Sequence, residues 1–415
     1  MSVAQSPDCD ADGLIGVEAA RAFLLERARA PQVVEVVPVA EARGRVLART
    51  LHATSDVPPY DNSAMDGYAL RGEDLVAGGD LRLPVTQRIP AGTMGQPLRS
   101  GEAARIFTGA PIPEGADTVV MQEQCTRDGD TVLISGPLAA GDNVRPRGND
   151  VRAGQAVLSA GIRLRPQEMG VAASLGCATV EVYRRPRVAF FSSGDELLEP
   201  GAPPRPGAIY NSNRYTLYGL IDALGCEGLD LGTVADTLPA TRALLDQGAA
   251  RADVLVSTGG VSVGEEDHIK RALDEVGHMA LWRIAVKPGK PLAYGRIGQA
   301  DFLGLPGNPV STLLTFCLFA RPFLLRRMGA TEVLPRGLPV VVEAARPRPG
   351  RRREYVRARV HGGDDGRLHA ELYPRQGSEV LSSASWADGV VEIPEGRTVE
   401  PGDTLTYYSF NELLN

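Results

Sequence analysis

The stretch STGGVSVGEEDHIK, Ser257 to Lys270, places a glycine-rich turn directly before three acids where a helix should begin. Bare N–H groups at such a turn, together with the helix dipole, attract phosphate. Glu265, Glu266 and Asp267 in the same place would repel a phosphate arriving alone. A phosphate carried with a divalent cation satisfies both halves. Carboxylates are hard oxygen ligands of the kind Mg2+ prefers.

Other segments carry matching chemistry, and a parallel strand–helix sheet would bring them to one edge, because ligands of open α/β sheets bind beyond the carboxyl ends of the strands. SSGDEL follows the apolar run RVAFFSS and supplies Asp195 and Glu196. Asp236 follows GLDLGTV, and the opening glycine loop, with Ser257, Gly259, Gly260, Ser262, Gly264 and Asp267, follows ADVLVS. KPGKP follows LWRIAV and supplies Lys287 and Lys290, while PGNPVS, with Pro306, Gly307, Asn308 and Pro309, makes another tight turn before a helix. Each segment alone is also a common helix cap or plain turn. Their shared location favours a phosphate-bearing ligand with an oxygen-bound cation, lysines serving as point charges and acids holding the metal or orienting water.

Two further clusters lie in the first half. PPYDNSAMDGYAL holds Asp61 and Asp66, and RIFTGAPIPEGAD places Thr108 and Gly109 after a short strand. GDNVRPRGND ends on Asp150. None has apolar periodicity, so they read as loops, where function concentrates although most loops have none.

The elements that must position these residues are legible in outline. Residues 17–29 and 38–51 read as helices. From 58 to 148, glycine and proline punctuate short β-favouring runs, which predicts a small all-β unit. RPQEMGVAASLG reads as a helix ended by Gly176. Between 187 and 330, strands alternate with helices, predicting a parallel, doubly wound sheet. The last stretch alternates short strands with turns and reads as a second β unit.

The chain has 415 residues, enough for several domains, with 43% hydrophobic and 23% charged residues, an ordinary globular balance. A formal net charge of −7 argues against nucleic acid as a partner. The 5 cysteines are scattered with no CxxC pair, which fits reduced thiols in the cytoplasm and gives no zinc motif. The acidic start is unlike a signal peptide, and the apolar run LLTFCLFARPFLL is interrupted by Arg321-Pro322 and too short for a bilayer, so no membrane is expected.

Taken in order and with their gaps, SAMDGYA, RIFTGA, SSGDEL, TGGVSVG…D, KPGKPLAYG and GLPGNPVS resemble the molybdopterin molybdenumtransferase (MoeA) family, which includes the C-terminal domain of gephyrin. The resemblance runs from about residue 12 to the end. It implies a multidomain fold, α/β plus all-β: a linker region (12–52 and 151–185), an inserted small β domain (53–150), a three-layer, MogA-like α/β molybdopterin-binding domain (186–330) and a C-terminal β-barrel (331–415). It implies insertion of molybdate into adenylylated molybdopterin with release of AMP, Mg2+ as cofactor and molybdate as substrate. It further implies a homodimer with the site between the α/β domain of one copy and the inserted domain of the other, a cytoplasmic location, and the molybdopterin adenylyltransferase and apo-molybdoenzymes as candidate partners.

Carried over residue by residue, the resemblance points to Asp66, Thr108, Asp150, Glu196, Asp236 and Asp267 as catalytic positions. Glu196, Asp236 and Asp267 are also the candidate metal ligands. Arg283, Lys287, Lys290, the turn Pro306 to Pro309, Arg357 and Ser378 join the glycine loop on the substrate-binding side. Thr237 stands where a second acid often follows, and Arg283 where a lysine is usual, which exchanges an ammonium for a guanidinium. Two other activities fit parts of the pattern: ATP-dependent adenylylation of molybdopterin, performed by relatives with the α/β domain alone, and gephyrin-like scaffolding.

Overall fold

The structure is a computed structural model that describes residues 13–75, 80–261 and 268–414. Its centre is a seven-stranded sheet. In order across the sheet the strands are Leu14–Ile15, Gly277–Ile284, Pro291–Ile297, Ala300–Leu305, Val254–Thr258, Arg187–Ser193 and Glu227–Val234.

Both faces of this sheet are covered, which is why its strands read as continuous apolar runs. Val188 and Phe190 point into one core, and Ala189 and Phe191 into the other; all four are fully buried. Burying a side chain such as either phenylalanine is worth about 1.5–3 kcal/mol. The first core is closed by helices α1 (Val17–Arg27), α3 (Ser212–Ala223), α6 (Pro309–Thr315) and α7 (Arg321–Arg327). The second is closed by α4 (Leu238–Arg251) and α5 (His268–Val276). Between α6 and α7, residues Phe316–Ala320 form a π-helical turn ahead of Pro322, which cannot donate in the helical ladder. The run expected to be a buried helix is buried, as two helices joined by that turn.

The sheet is not wholly parallel. Pro291–Ile297 runs antiparallel to both neighbours, Gly277–Ile284 and Ala300–Leu305. Gly298 and Gln299 alone link it to Ala300, and Gly298 has φ +58°. A two-residue connection can only fold back on itself, so this segment forms a hairpin rather than a crossover. At the far edge Leu14–Ile15 pairs in parallel with Arg283–Ile284, so the start of the described chain is stitched into the α/β sheet.

The helix expected over 38–51 does not form. A 3-10 turn, Val39–Glu41, gives way to extended chain bridged at Val46 to Arg163 and at Leu47 to Val182. Gly44 sits at φ +74°, Val46 is buried in a core of the α/β sheet and Leu47 in a core shared with Val182, so tertiary packing overrides the helical pattern. The helix expected from RPQEMGVAASLG is present as α2 (Pro166–Ser174), with Gly176 at φ +79° beyond its end.

The first β unit is a six-stranded sheet ordered Thr118–Met121, Gly67–Leu70, Ala103–Ile106, Leu81–Ile89, Thr131–Ile134, Cys125–Asp128. It carries its own cores, one around Tyr68 and Leu70 and one around Ala69 and Ile106. In the last unit, Arg353–Gly362, Leu368–Leu372, Leu338–Val342, Thr404–Ser409 and Gly389–Ile393 pair in sequence around a ring that the first and last strands close. Closure leaves one side of the start of Arg353–Gly362 open, because Leu368–Leu372 pairs with Ala358 to Gly362 alone. A short strand from the α/β unit, Val286–Lys287, is added alongside Arg353–Glu354.

Candidate functional site

The ends of Arg187–Ser193, Glu227–Val234, Val254–Thr258, Gly277–Ile284 and Ala300–Leu305 lie on one edge of the sheet, as their mutual directions require. Gly259 and Gly260, at the end of the central strand, have φ of +83° and +64°. A Cβ on Gly259 would stand 2.6 Å from the Ser193 carbonyl oxygen, and one on Gly260 would stand 2.5 Å from the Ile269 side chain. Only glycine fits either place. A Cβ on Gly307 would reach within 3.6 Å of Gly259 Cα, so the GG and PGN turns stack with bare backbone between them.

A hydroxyl and amide cluster clamps these turns. Thr258 Oγ1 lies 3.1 Å from the Pro306 carbonyl oxygen and 3.2 Å from Thr312 Oγ1. Asn213, in the first turn of α3, donates from Nδ2 to Thr258 Oγ1 (2.9 Å) and to the Gly307 carbonyl (2.7 Å). Asn211 caps α3 by accepting from Arg214 N–H (3.1 Å), and it ties in Thr233 through Nδ2 (3.1 Å). Neither asparagine nor Thr258 was singled out from the sequence; the signal for Asn211 is an N-capping residue type directly before a helix.

The acidic side of the rim is partly described. Asp236 N–H donates to the Asp195 carboxylate at 3.2 Å, so the loops after the neighbouring strands Arg187–Ser193 and Glu227–Val234 touch. Glu196 is exposed, with its carboxylate folded back over Gly194. Asp267, with Ser262 and Gly264 of the same loop, lies outside the described residues. Among the described residues no group of three or more His, Cys, Asp or Glu side chains is gathered for a metal. Ser257 is fully buried in its strand, and its Oγ meets no hydrogen-bond partner among the described residues.

On the basic side Lys287, Lys290 and Arg283 are all exposed. Lys287 Nζ donates to Glu354 Oε1 of the barrel at 3.0 Å, and Arg346 Nη2 donates to the other oxygen at 2.6 Å. Burial pushes the Glu354 carboxyl up, but Lys287 and Arg346 outweigh it and hold it below the usual range. The barrel also reaches the PGN turn: Asn308 Nδ2 donates to Ser378 Oγ at 3.0 Å, and Val310 N–H donates to the Ser378 carbonyl at 3.0 Å. Arg357 is 1% exposed, so it reaches the rim only through this loop. Its Nε donates to Ser383 Oγ (2.9 Å) and its Nη2 to the Gly377 carbonyl (2.9 Å), and burial lowers its pKa to about 10.

The inserted β unit holds the second cluster. Asp66 accepts two hydrogen bonds from Thr108, one from N–H and one from Oγ1, each 2.8 Å. Those bonds, the backbone one first, hold its carboxyl below the ordinary range. Gly67 beside it has no room for a Cβ, which would overlap the Val120 carbonyl. Gly109 N–H donates to the Ser63 carbonyl (2.8 Å), and Arg147 N–H donates to Asp61 Oδ1 (2.6 Å), which braids the three loops together. Exposed Asp150 donates its N–H to the Val57 carbonyl at 3.0 Å. Asp66, Thr108 and Asp150 thus share one loop cluster, the first two beside strands of the six-stranded sheet and Asp150 beside Val151 of a further small core, all separate from the cores of the sheet that carries the rim.

A three-layer α/β unit with a glycine-lined strand-end rim, an inserted β unit and a terminal barrel define a multidomain protein of the molybdopterin-binding class. The chain belongs to the MoeA family. Family profiles match as "MoeA N-terminal region (domain I and II)" over residues 15–176, "Probable molybdopterin binding domain" over 189–326, and "MoeA C-terminal region (domain IV)" over 339–410. The molybdopterin molybdenumtransferase of Haemophilus influenzae is 37% identical over 405 residues, covering 97% of this chain and 100% of that protein. A protein of the same name from Nostoc sp. is 40% identical over 74% of this chain and 72% of its own length. The crystal structure of a molybdopterin biosynthesis moeA protein from Pyrococcus horikoshii OT3 superposes with a TM-score of 0.80 at 28% identity, covering 95% of this chain and 100% of that one.

Proposed function

We propose that this chain inserts molybdate into adenylylated molybdopterin and releases AMP, a step of molybdenum cofactor biosynthesis. The 37% identity, along 97% of this chain, to a protein named molybdopterin molybdenumtransferase carries the reading. The rim supports it with stacked glycine turns, exposed lysines and carboxylate loops on one sheet edge.

In this reading the GG and PGN turns let a phosphate approach bare backbone, and Lys287 and Lys290 offset its charge. The Asn213–Thr258–Thr312 cluster keeps the turns stacked, so no reorganisation is needed when ligand arrives. Glu196, Asp236 and Asp267 would hold Mg2+; the donor set is all oxygen, as that ion prefers, and two carboxylate loops already touch. Bound there, the ion would neutralise phosphate charge and polarise the P–O bond to be cleaved. Water and ligand phosphate would complete its shell.

Asp66, Thr108 and Asp150 belong to the same site if the inserted unit of a second copy closes over the rim, making the active form a homodimer. A cytoplasmic location goes with the same reading. Among the described residues no helix is long and apolar enough to cross a membrane. The test is AMP release from adenylylated molybdopterin, measured with and without molybdate and Mg2+; release that ignores molybdate would overturn the reading.

A further inference from the structure

The KPGKP segment does more than end a strand of the α/β sheet. Its first residue, Lys287, and the preceding Val286 run parallel to Arg353–Glu354 of the barrel, with Lys287 in register with Glu354. The backbone is held there from several sides. Arg353 N–H donates to the Ala285 carbonyl (2.9 Å), Arg352 Nη1 donates to the Val286 carbonyl (3.2 Å), and Val286 is fully buried. Lys287 is therefore attached to the barrel through main chain and side chain alike, although it is numbered with the α/β unit.

We propose that Glu354 is the positioning residue of Lys287: it fixes the ammonium so that the remaining N–H donors meet the phosphate of the substrate. This rests on the reading of Lys287 as a phosphate-binding residue. Glu354 is suited to the role because it is itself immobilised, one carboxylate oxygen on Lys287 at 3.0 Å and the other on Arg346 at 2.6 Å. Its side chain is 15% exposed against 46% for Lys287, so the carboxylate is the anchored partner and the ammonium the one that faces solvent. An ammonium has three donors, and Glu354 takes one. A free lysine would lose rotamer freedom on gripping a ligand, and Glu354 takes that loss at folding instead. Arg346, Glu354 and Lys287 together carry one net positive charge, so the cluster still attracts an anion. The opposite role, a carboxylate that competes with phosphate for Lys287, predicts tighter binding in both Glu354 variants and leaves Lys287→Met impaired.

The test compares Glu354→Ala, Glu354→Gln, Lys287→Met and the double variant Glu354→Ala/Lys287→Met in the full chain. Molybdate-dependent AMP release gives kcat and KM for adenylylated molybdopterin, and inorganic pyrophosphate serves as a binding probe. Loss of one charged hydrogen bond at the site corresponds to about a tenfold weakening. Glu354→Ala is expected to raise KM and the pyrophosphate Kd by about tenfold with kcat within about twofold. Glu354→Gln, which keeps the volume and an acceptor oxygen and so guards against misfolding, is expected to fall between. Lys287→Met should raise KM at least as far, and the double variant should be no worse than Lys287→Met. Unchanged or tighter pyrophosphate binding in both Glu354 variants, with Lys287→Met impaired, overturns the positioning role alone. So do additive effects in the double variant. A Lys287→Met enzyme of normal KM removes Lys287 from the phosphate site, and the role of Glu354 falls with it.

Discussion

Asp66 receives both donors of Thr108, the N–H and the hydroxyl, on a single carboxylate oxygen at 2.8 Å each. The pair joins SAMDGYA to RIFTGA across 42 residues of sequence and keeps the acid ionised and oriented while it remains open to solvent.

The carboxyl of Asp66 should therefore titrate below the ordinary aspartate range, and Thr108→Val, which removes the hydroxyl and leaves the N–H, should move it back part of the way. A depressed folded pKa means that the contact supports the fold at pH above the unfolded aspartate value and that this support is lost as pH falls through the folded value. Side-chain carboxyl NMR across pH 2 to about 6 reads both effects. An Asp66 midpoint that ignores the substitution would mean that the backbone donor alone sets it.

The GG turn offers a test of why glycine stands there. Gly259→Ala would force a methyl to 2.6 Å from the Ser193 carbonyl at a φ of +83°. Gly232→Ala, at φ +78° with nothing within 4 Å, carries the dihedral strain without the collision. Denaturant unfolding should give a loss of about 1 kcal/mol for Gly232→Ala and about 2–3 kcal/mol for Gly259→Ala. Only the Gly259 variant should also weaken pyrophosphate binding. Equal losses at the two positions would show that backbone strain, and not the close approach of the strand ends, selects glycine.

Much of this architecture was legible because its signals are local. Runs such as RVAFFSS lack polar alternation because both faces of the sheet are covered, and the paired glycines of STGG mark a turn at the end of a strand from their residue type alone. The misreadings arose where distant chain decides. Val46 and Leu47 sit in a helix-like pattern yet are held extended by Arg163 and Val182, more than a hundred residues away. The strand–helix alternation hides the antiparallel PLAYGRI strand, which only the two-residue Gly298-Gln299 turn marks. Glu354 and Asn213 escaped notice because neither lies in a motif; each acts on a rim residue reached only through the fold.

The rim acids yield a prediction that separates chemistry from stability. Glu196 is exposed, and Asp236 is half-buried and met through its backbone N–H, so Glu196→Gln and Asp236→Asn leave no charge stranded in a core. Thermal midpoints should stay within about 2 °C of the parent. If these carboxylates hold Mg2+, AMP release should fall by about 100-fold or more and the Mg2+ concentration for half-maximal activity should rise. An unchanged Mg2+ requirement in both variants would place the ion elsewhere.

Arg357 carries the opposite expectation, because burial leaves it no direct reach to solvent. Its guanidinium spends Nε on Ser383 Oγ and Nη2 on the Gly377 carbonyl, and the next residue, Ser378, receives Asn308 and Val310 of the PGN turn. Lysine keeps the charge but is a point donor and lacks the planar fork that makes both contacts at once. Arg357→Lys should therefore cost about 2–3 kcal/mol of stability through unpaired buried groups. It should also lower activity by loosening the Ser378 cap on the turn. Ser378→Ala separates the two effects: it deletes the Oγ that Asn308 uses, keeps the carbonyl that Val310 uses, and leaves Arg357 fully bonded. It should reduce activity with a stability loss of no more than about 1 kcal/mol. If Arg357→Lys lost stability while a folded Ser378→Ala enzyme worked at the parent rate, the barrel loop would be a structural fastening only, and the turn would not depend on it for catalysis.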